Sequence, residues 1–133
     1  MAQHQAYKRF VDELVDISRV EVTAQNIREG GCPVRTSDVD SPLSAREINR
    51  KQFFSSLSGS QKEIVAEMLE EARTGGIHDV ASFLEWALSC DELVMTWKGE
   101  RIPESPYESM HFDFIARREG ESWPDERATE MPS

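Results

Sequence analysis

Residues 93–102 read LVMTWKGERI, and this stretch decides the fold class. Leu93, Met95 and Trp97 occupy every second position, which is the period of a strand with one buried face. Lys98-Gly99 suits a tight turn, so a second strand is expected over residues 100–102. Pro103 ends that strand because proline cannot donate a ladder hydrogen bond. The stretch therefore predicts an antiparallel hairpin in the last third of the chain.

The alternation of side chains resumes after the loop 103–108 and predicts a second long strand over residues 109–117. The side chains of that strand divide into an apolar row and an opposite row: Met110, Phe112 and Phe114, against His111, Asp113, Ile115 and Arg117. We expect a turn over residues 118–121 and a short last strand at Trp123, which completes a small antiparallel β-meander. Residues 125–133 are expected to form a flexible C-terminal tail.

Upstream of the hairpin, apolar residues recur every three or four positions, which is the helical period. A first helix is predicted over residues 5–29 from the spacing of Phe10, Leu14, Ile17, Val20, Ala24 and Ile27. The alternative is a break near residue 20, because the β-branched side chains there lower helix propensity. Gly30-Gly31 ends this helix, and residues 31–43 are expected to form an irregular connection.

Two S-x-x-E motifs, the pattern of a capping box, mark the starts of two further helices. Ser44 opens one helix that ends near Leu57, and Ser60 opens another that stops at Gly75-Gly76. A fourth helix is predicted from His78 or Asp79 to about Cys90. The predicted fold is therefore α+β, with about four helices in the first two-thirds packed on a small antiparallel β-meander in the last third. Residues 1–124 would form a single domain.

The charge of the chain limits the classes of function. The net charge is −10 over 133 residues, and residues 91–133 hold 11 acidic and 5 basic side chains. Binding to nucleic acid is not expected, because affinity for phosphates comes from lysine and arginine. No apolar run is long enough to cross a membrane. With two cysteines and no secretory signal, the expected location is the cytoplasm. No cofactor motif is present, so we expect no cofactor and no metal.

The first candidate site is His111 beside Asp113, with Arg117 further along the same strand face. Residues two apart in a strand lie about 7 Å apart on one face, so the carboxylate can orient the imidazole or hold it charged. This pair suggests a small metal-dependent or acid/base enzyme as the alternative function. His78-Asp79 could complete a metal site only if the fourth helix begins over the sheet. The simpler interpretation is a polar, solvent-facing row.

The second candidate site is an interface formed by aromatic residues next to arginines. Large aromatic side chains and arginine dominate protein interfaces. The predicted binding residues are Trp97, Arg101, Tyr107, His111, Asp113 and Arg117. We therefore expect a small acidic interaction protein, of a bacterial immunity or regulatory type, that binds another, basic protein through its β-meander. A homodimer through the broad apolar face of the first helix is a further arrangement.

Overall fold

Two strands and six helices form the part of the chain that the computed structural model describes, which is residues 4–30, 42–90 and 92–130, with side chains to Arg127. The elements are α1 (Gln5–Arg19), α2 (Val22–Arg28), α3 (Ala45–Ser56), α4 (Gly59–Cys90), β1 (Met95–Trp97), β2 (Glu100–Ile102), α5 (Met110–Arg118) and α6 (Pro124–Glu130). The α+β class is confirmed, because helices fill the first two-thirds and a two-stranded antiparallel sheet lies in the last third.

The predicted hairpin forms around the predicted turn. β1 pairs antiparallel with β2, with Met95 opposite Ile102 and Trp97 opposite Glu100. Lys98 and Gly99 make the two-residue turn with φ of 51° and 83°. A two-residue turn whose twist matches the right-handed twist of the strands needs a positive φ at both residues. The strand ends at Ile102, directly before Pro103.

The second long strand predicted over residues 109–117 is wrong, because these residues form α5. Ser109 is the N-cap, and its Oγ accepts a hydrogen bond of 3.2 Å from the Phe112 amide. Met110, Asp113 and Phe114 are buried, a spacing of three and one that fits one helix face. The alternation of Phe112 and Phe114 with polar residues fits a strand, but it extends over only a few residues. The predicted meander is therefore a two-stranded hairpin, and Trp123 lies in a loop before α6.

The segment after Trp123, where a flexible tail was predicted, begins with the short helix α6. Pro124 is its first residue, where a missing amide hydrogen costs nothing. The amides of Glu126 and Arg127 donate to the Trp123 carbonyl, at 2.9 and 3.0 Å. Asp125 and Glu126 lie in the first turn, where negative charges interact favourably with the helix dipole. The last predicted tail residues, 131–133, lie outside the described residues.

The first helix breaks near residue 20, as in the alternative interpretation. α1 ends at Arg19 and α2 begins at Val22. Glu21 between them is extended and caps α2, because its carboxylate accepts a hydrogen bond of 2.9 Å from the Thr23 amide. Eleven of the residues predicted as an irregular connection, 31–41, lie outside the described residues.

α3 begins where its capping motif predicted, but the next two predicted helices are one. The Ser44 Oγ accepts a hydrogen bond of 3.2 Å from the Glu47 amide, which confirms the start of α3. α4 then runs without interruption from Gly59 to Cys90, so the predicted stop at Gly75-Gly76 is wrong. The cost of a glycine inside a helix is only about 1 kcal/mol. Packing of later α4 residues on the core offsets it.

The two internal glycines of α4 lead to a stability prediction. Gly75→Ala and Gly76→Ala are each expected to raise the free energy of unfolding by about 0.5–1 kcal/mol. An added Cβ would meet nothing within 4 Å at either position, and both residues are exposed. Urea unfolding followed by circular dichroism measures the change. The control is Gly99→Ala, which should lower stability because Gly99 has a φ of 83°. A less stable double variant, Gly75→Ala with Gly76→Ala, would contradict the prediction.

The chain divides into two compact units, Met1–Arg19 with Thr74–Ser133 as unit 1, and Val20–Arg73 as unit 2. Unit 1 contains a core assembled from α1, α4, β2, α5 and the residue before α6. Its buried members are Tyr7, Val11, Val15, Ala81, Ile102, Met110, Phe114 and Trp123. The α1 residues among them recur every four positions, so one face of α1 packs on this core. Unit 1 holds every predicted binding residue.

Unit 2 is held by a small core and by charge pairs. Ala24, Ile27 and Ala66 are buried there, whereas α3 buries no residue. Arg28 on α2 pairs with two carboxylates of α4, with Glu63 at 2.9 Å and with Glu70. Across the described ranges of both units, no helix has the combined length and apolarity needed to cross a membrane.

Candidate binding groove

A groove of about 450 Å³ lies between α5 and the start of α6 in unit 1. α5 supplies one wall, the loop before α5 supplies the second, and the loop into α6 supplies the third. The lining residues are Tyr107, Glu108, Phe112, Asp113, Ala116, Arg117, Glu121, Ser122, Trp123, Pro124 and Arg127. We call this site the aromatic groove. Its volume is within the range of pockets that hold small ligands or single side chains.

Two aromatic rings, tilted relative to each other, form the floor of the aromatic groove. The Tyr107 and Trp123 ring centroids are 5.5 Å apart, with 32° between the ring planes. The Tyr7 ring contacts both edge-on, at 6.0 Å from Trp123 and 6.3 Å from Tyr107. Trp123 is only 3% exposed, whereas Phe112 on the α5 wall is 51% exposed. The groove therefore has a floor of packed aromatic rings and an exposed aromatic residue in its wall.

Arg117 is held over this floor by contacts in three directions. Its guanidinium lies 5.0 Å from the Trp123 ring centroid. Nε and Nη2 donate to the two carboxylate oxygens of Asp12, at 2.8 and 3.3 Å, and Nη1 donates to the Glu121 carbonyl at 2.8 Å. A bidentate arginine–carboxylate pair orients both planes. Arg117 therefore joins α1, α5 and the loop that leads to α6.

Asp113 lies beneath the groove and holds the loop before α5. The carboxylate is buried, and Oδ2 accepts hydrogen bonds of 2.5 Å from the Tyr7 hydroxyl and from Ser105 Oγ. Burial, and then the hydrogen bond to Asp113, raise the pKa of Tyr7 far above its ordinary value. Tyr7 is therefore a neutral donor at any physiological pH. Ser105 Oγ in turn accepts a hydrogen bond of 3.0 Å from the Tyr107 amide, which positions the Tyr107 ring.

Glu85 on α4 fixes the same loop from the other side. Its carboxylate accepts hydrogen bonds from the amides of Ser105, at 3.0 Å, and Met110, at 3.1 Å. These amides lie at a loop and at a helix start, where backbone donors otherwise lack partners. Asp113 and Glu85 therefore hold the loop by hydrogen bonds from two sides.

Lys8 holds the start of α6. The side chain is nearly buried, and Nζ lies 2.9 Å from Asp125 Oδ2 and 3.3 Å from Glu126 Oε1. Burial alone would lower the pKa of Lys8, but the hydrogen bonds to Asp125 and Glu126 raise it. The same contact with Lys8 lowers the pKa of Asp125. Burial, and then Asp125, raise the pKa of Tyr107. The Lys8 ammonium and the Asp125 carboxylate are therefore charged at neutral pH, and their contact keeps α6 beside α1.

A second, polar depression of about 330 Å³ adjoins the aromatic groove. It shares Arg117 and Trp123 with the groove, and its other lining residues are Gln5, Lys8, Arg9, Asp12, Glu13, Asp16 and Glu126. We call it the acidic depression, because four of its residues are acidic and three are basic. Glu13 and Asp16 lie on the exposed side of α1.

Most of the chain is similar to a known protein family. The model of a family of unknown function, DUF6547, matches residues 1–125. The chain belongs to this family. No curated protein and no solved structure matches the chain. The family match extends through α5 and Trp123, so nearly all of the aromatic groove of this DUF6547 member lies within it.

The structure brings together three of the six predicted binding residues. Tyr107, Asp113 and Arg117 line the aromatic groove of the DUF6547 chain. Trp97 and Arg101 are on the hairpin instead. The Trp97 ring packs edge-on against Phe10 at 6.2 Å, and Arg101 is exposed on β2.

The prediction that His111 and Asp113 share a face is wrong. Both are on α5, and side chains two residues apart in a helix point about 160° apart around the helix axis. Asp113 points into unit 1, while the His111 ring meets the His78 ring edge-on at 5.2 Å. His78 is therefore close to His111, but it lies within α4 and not at the helix start that the metal hypothesis required. In the described part of the chain, however, no group of three or more His, Cys, Asp or Glu side chains is arranged to hold a metal.

Sequence reasoning assigned Phe112 to the core and did not select Trp123 or Arg127. All three line the aromatic groove. Helix signals that could have revealed α5 were present: Ser109 as a cap, Arg117 and Arg118 in the last turn, and Gly120 with a φ of 88° just beyond the end. A helical α5 would have placed Phe112 on the opposite side from Phe114.

Proposed function

We propose that this protein is an interaction module that holds an apolar side chain of another protein in the aromatic groove. The observation that carries the proposal is the half-exposed Phe112 beside the prebuilt floor of Tyr107 and Trp123. Aromatic residues and arginine are the residue types that supply most of the binding energy in interfaces. The groove presents both, since Arg117 lies over Trp123.

Pre-organisation of the groove supports the same function. Asp113, Glu85 and Lys8 hold the floor, the loop and α6 by hydrogen bonds that exist before any partner binds. A site that is already ordered loses little conformational entropy on binding, so more of the contact energy appears as affinity. The arrangement therefore favours recognition of a partner over a purely structural role for these residues.

The charge of the chain supports a basic partner. A net charge of −10 attracts a positively charged protein and repels an acidic one. We propose a cytoplasmic bacterial protein of a regulatory or immunity type that covers a basic surface on its partner. The enzyme alternative has less support, because α5 directs His111 and Asp113 to different sides. A homodimer through α1 stays a prediction.

Two matched phenylalanine variants test the proposal. Phe112 and Phe83 are both on helices and are 51% and 60% exposed, but only Phe112 lines the groove. Partners are captured from the native cell lysate with tagged wild type, Phe112→Ser and Phe83→Ser, and are quantified by mass spectrometry. A specific partner should remain with Phe83→Ser and bind at least about tenfold more weakly with Phe112→Ser. If every captured protein binds both variants equally, the groove is not the binding site.

A further inference from the structure

We propose that the partner segment carries a large apolar residue next to basic residues, with the apolar residue in the aromatic groove and the basic ones over the acidic depression. The inference rests on the proposed function and adds the chemistry of the partner. It follows from the junction of the two sites, since Arg117 and Trp123 line both. A chain that places one side chain in the groove can therefore continue directly into the depression.

The cations of the acidic depression are already engaged within the protein. Lys8 contacts Asp125 and Glu126, and Arg117 is bound bidentately by Asp12. The Arg9 guanidinium lies 5.4 Å from the Trp97 ring centroid, which directs it towards the hairpin. Carboxylates therefore compensate the charges of Lys8 and Arg117 before any partner arrives, while Arg9 packs on an aromatic ring.

Asp12 and Glu126 already pair with Arg117 and Lys8. The other two acidic side chains of the depression are those of Glu13 and Asp16. They are three residues apart on α1, so they are neighbours on one helix face. Both are exposed. Two adjacent carboxylates beside an apolar groove are complementary to lysine or arginine next to an apolar residue. An acidic segment would meet repulsion at the same place, in a chain whose net charge is −10.

A display library of short random peptides, panned against the full chain, tests this chemistry. Enriched peptides should contain a large aliphatic or aromatic residue within a few positions of two or more lysines or arginines. The best peptide is then synthesised, and its affinity is measured by fluorescence anisotropy at low and at physiological salt. Affinity should fall as salt screens the charges.

Three variants separate the two sites. The double variant Glu13→Gln, Asp16→Asn should bind the peptide about fivefold more weakly and with a smaller salt dependence. The control is Glu67→Gln, Glu71→Gln, an exposed acidic pair on α4 in unit 2, which should bind like wild type. Ala116→Trp, which fills the groove, should weaken binding at least about tenfold. Phe112→Ser gives a second groove variant if Ala116→Trp misfolds.

The outcomes distinguish failure of the inference from failure of the proposed function. Enrichment of acidic or uncharged peptides overturns the inference. The inference is also overturned if the Glu13/Asp16 variant binds like wild type while Ala116→Trp or Phe112→Ser loses binding. In both of these cases the proposed function of the groove stands. Equal binding by the groove variants and wild type, or no enrichment at all, overturns both.

Discussion

Trp123→Ala is expected to lower the free energy of unfolding of unit 1 by about 4 kcal/mol, the largest effect of any single change considered. The ring is 3% exposed and is a member of the core of unit 1. Its removal leaves a cavity beneath Tyr107, whose ring lies 5.5 Å away. Lys8 and Arg117 also lose the ring that they cover, at 5.9 and 5.0 Å. The start of α6 should therefore loosen as well.

Urea unfolding followed by tryptophan fluorescence measures the loss. Trp86 and Trp97 remain as probes, and both are in unit 1. The control is Trp86→Ala, because Trp86 is 52% exposed on α4 and its removal should cost less than about 1 kcal/mol. Similar losses for the two variants would show that Trp123 does not have the packing described above.

Asp113→Ala is expected to lower the free energy of unfolding by about 3 kcal/mol. The carboxylate is the acceptor for two hydroxyl groups, those of Tyr7 and Ser105, each at 2.5 Å. Tyr7 is fully buried, so its hydroxyl would lose its partner without gaining water. An unsatisfied buried donor costs about 1–3 kcal/mol. The loop that carries Tyr107 should become mobile at the same time.

Asp113→Asn provides the matched variant, because the amide keeps an oxygen acceptor and nearly the same shape. It should cost less than Asp113→Ala, by at least about 1 kcal/mol. Glu119→Ala replaces an exposed acid just beyond α5 and should have almost no effect. Hydrogen exchange at the Tyr107 amide, which donates to Ser105 Oγ, reports on the loop. Unchanged protection of that amide in Asp113→Ala would contradict the proposed positioning role.

Several elements could be predicted because their signals are local. The hairpin depends on a two-residue turn and on strand alternation over only a few positions, and both are visible at 93–102. The start of α3 depends on one side chain, Ser44, three residues from the amide it caps. Charge is a sum over residues and needs no structure. In each case the interacting groups are close in sequence.

α5 was mispredicted because its residues fit two periods at once. Phe112 and Phe114 alternate with polar side chains, as in a strand, while Met110, Asp113 and Phe114 fit one helix face. Contacts between residues that are distant in sequence accompany the helical conformation. Asp113 bonds to Tyr7, which is 106 positions away, and Arg117 bonds to Asp12, which is 105 positions away. In the helix α5, both side chains reach α1.

The sequence alone determined the α+β class, the hairpin, the α3 cap and the acidic charge of this protein, because each depends on neighbouring residues or on composition. The tertiary structure decided that α4 continues through Gly75-Gly76, that α5 is helical, and that Phe112 and Trp123 form a groove with Tyr107. The physical reason is the same for all three. Long-range packing and hydrogen bonding with α1 and the core outweigh local preferences of about 1 kcal/mol per residue.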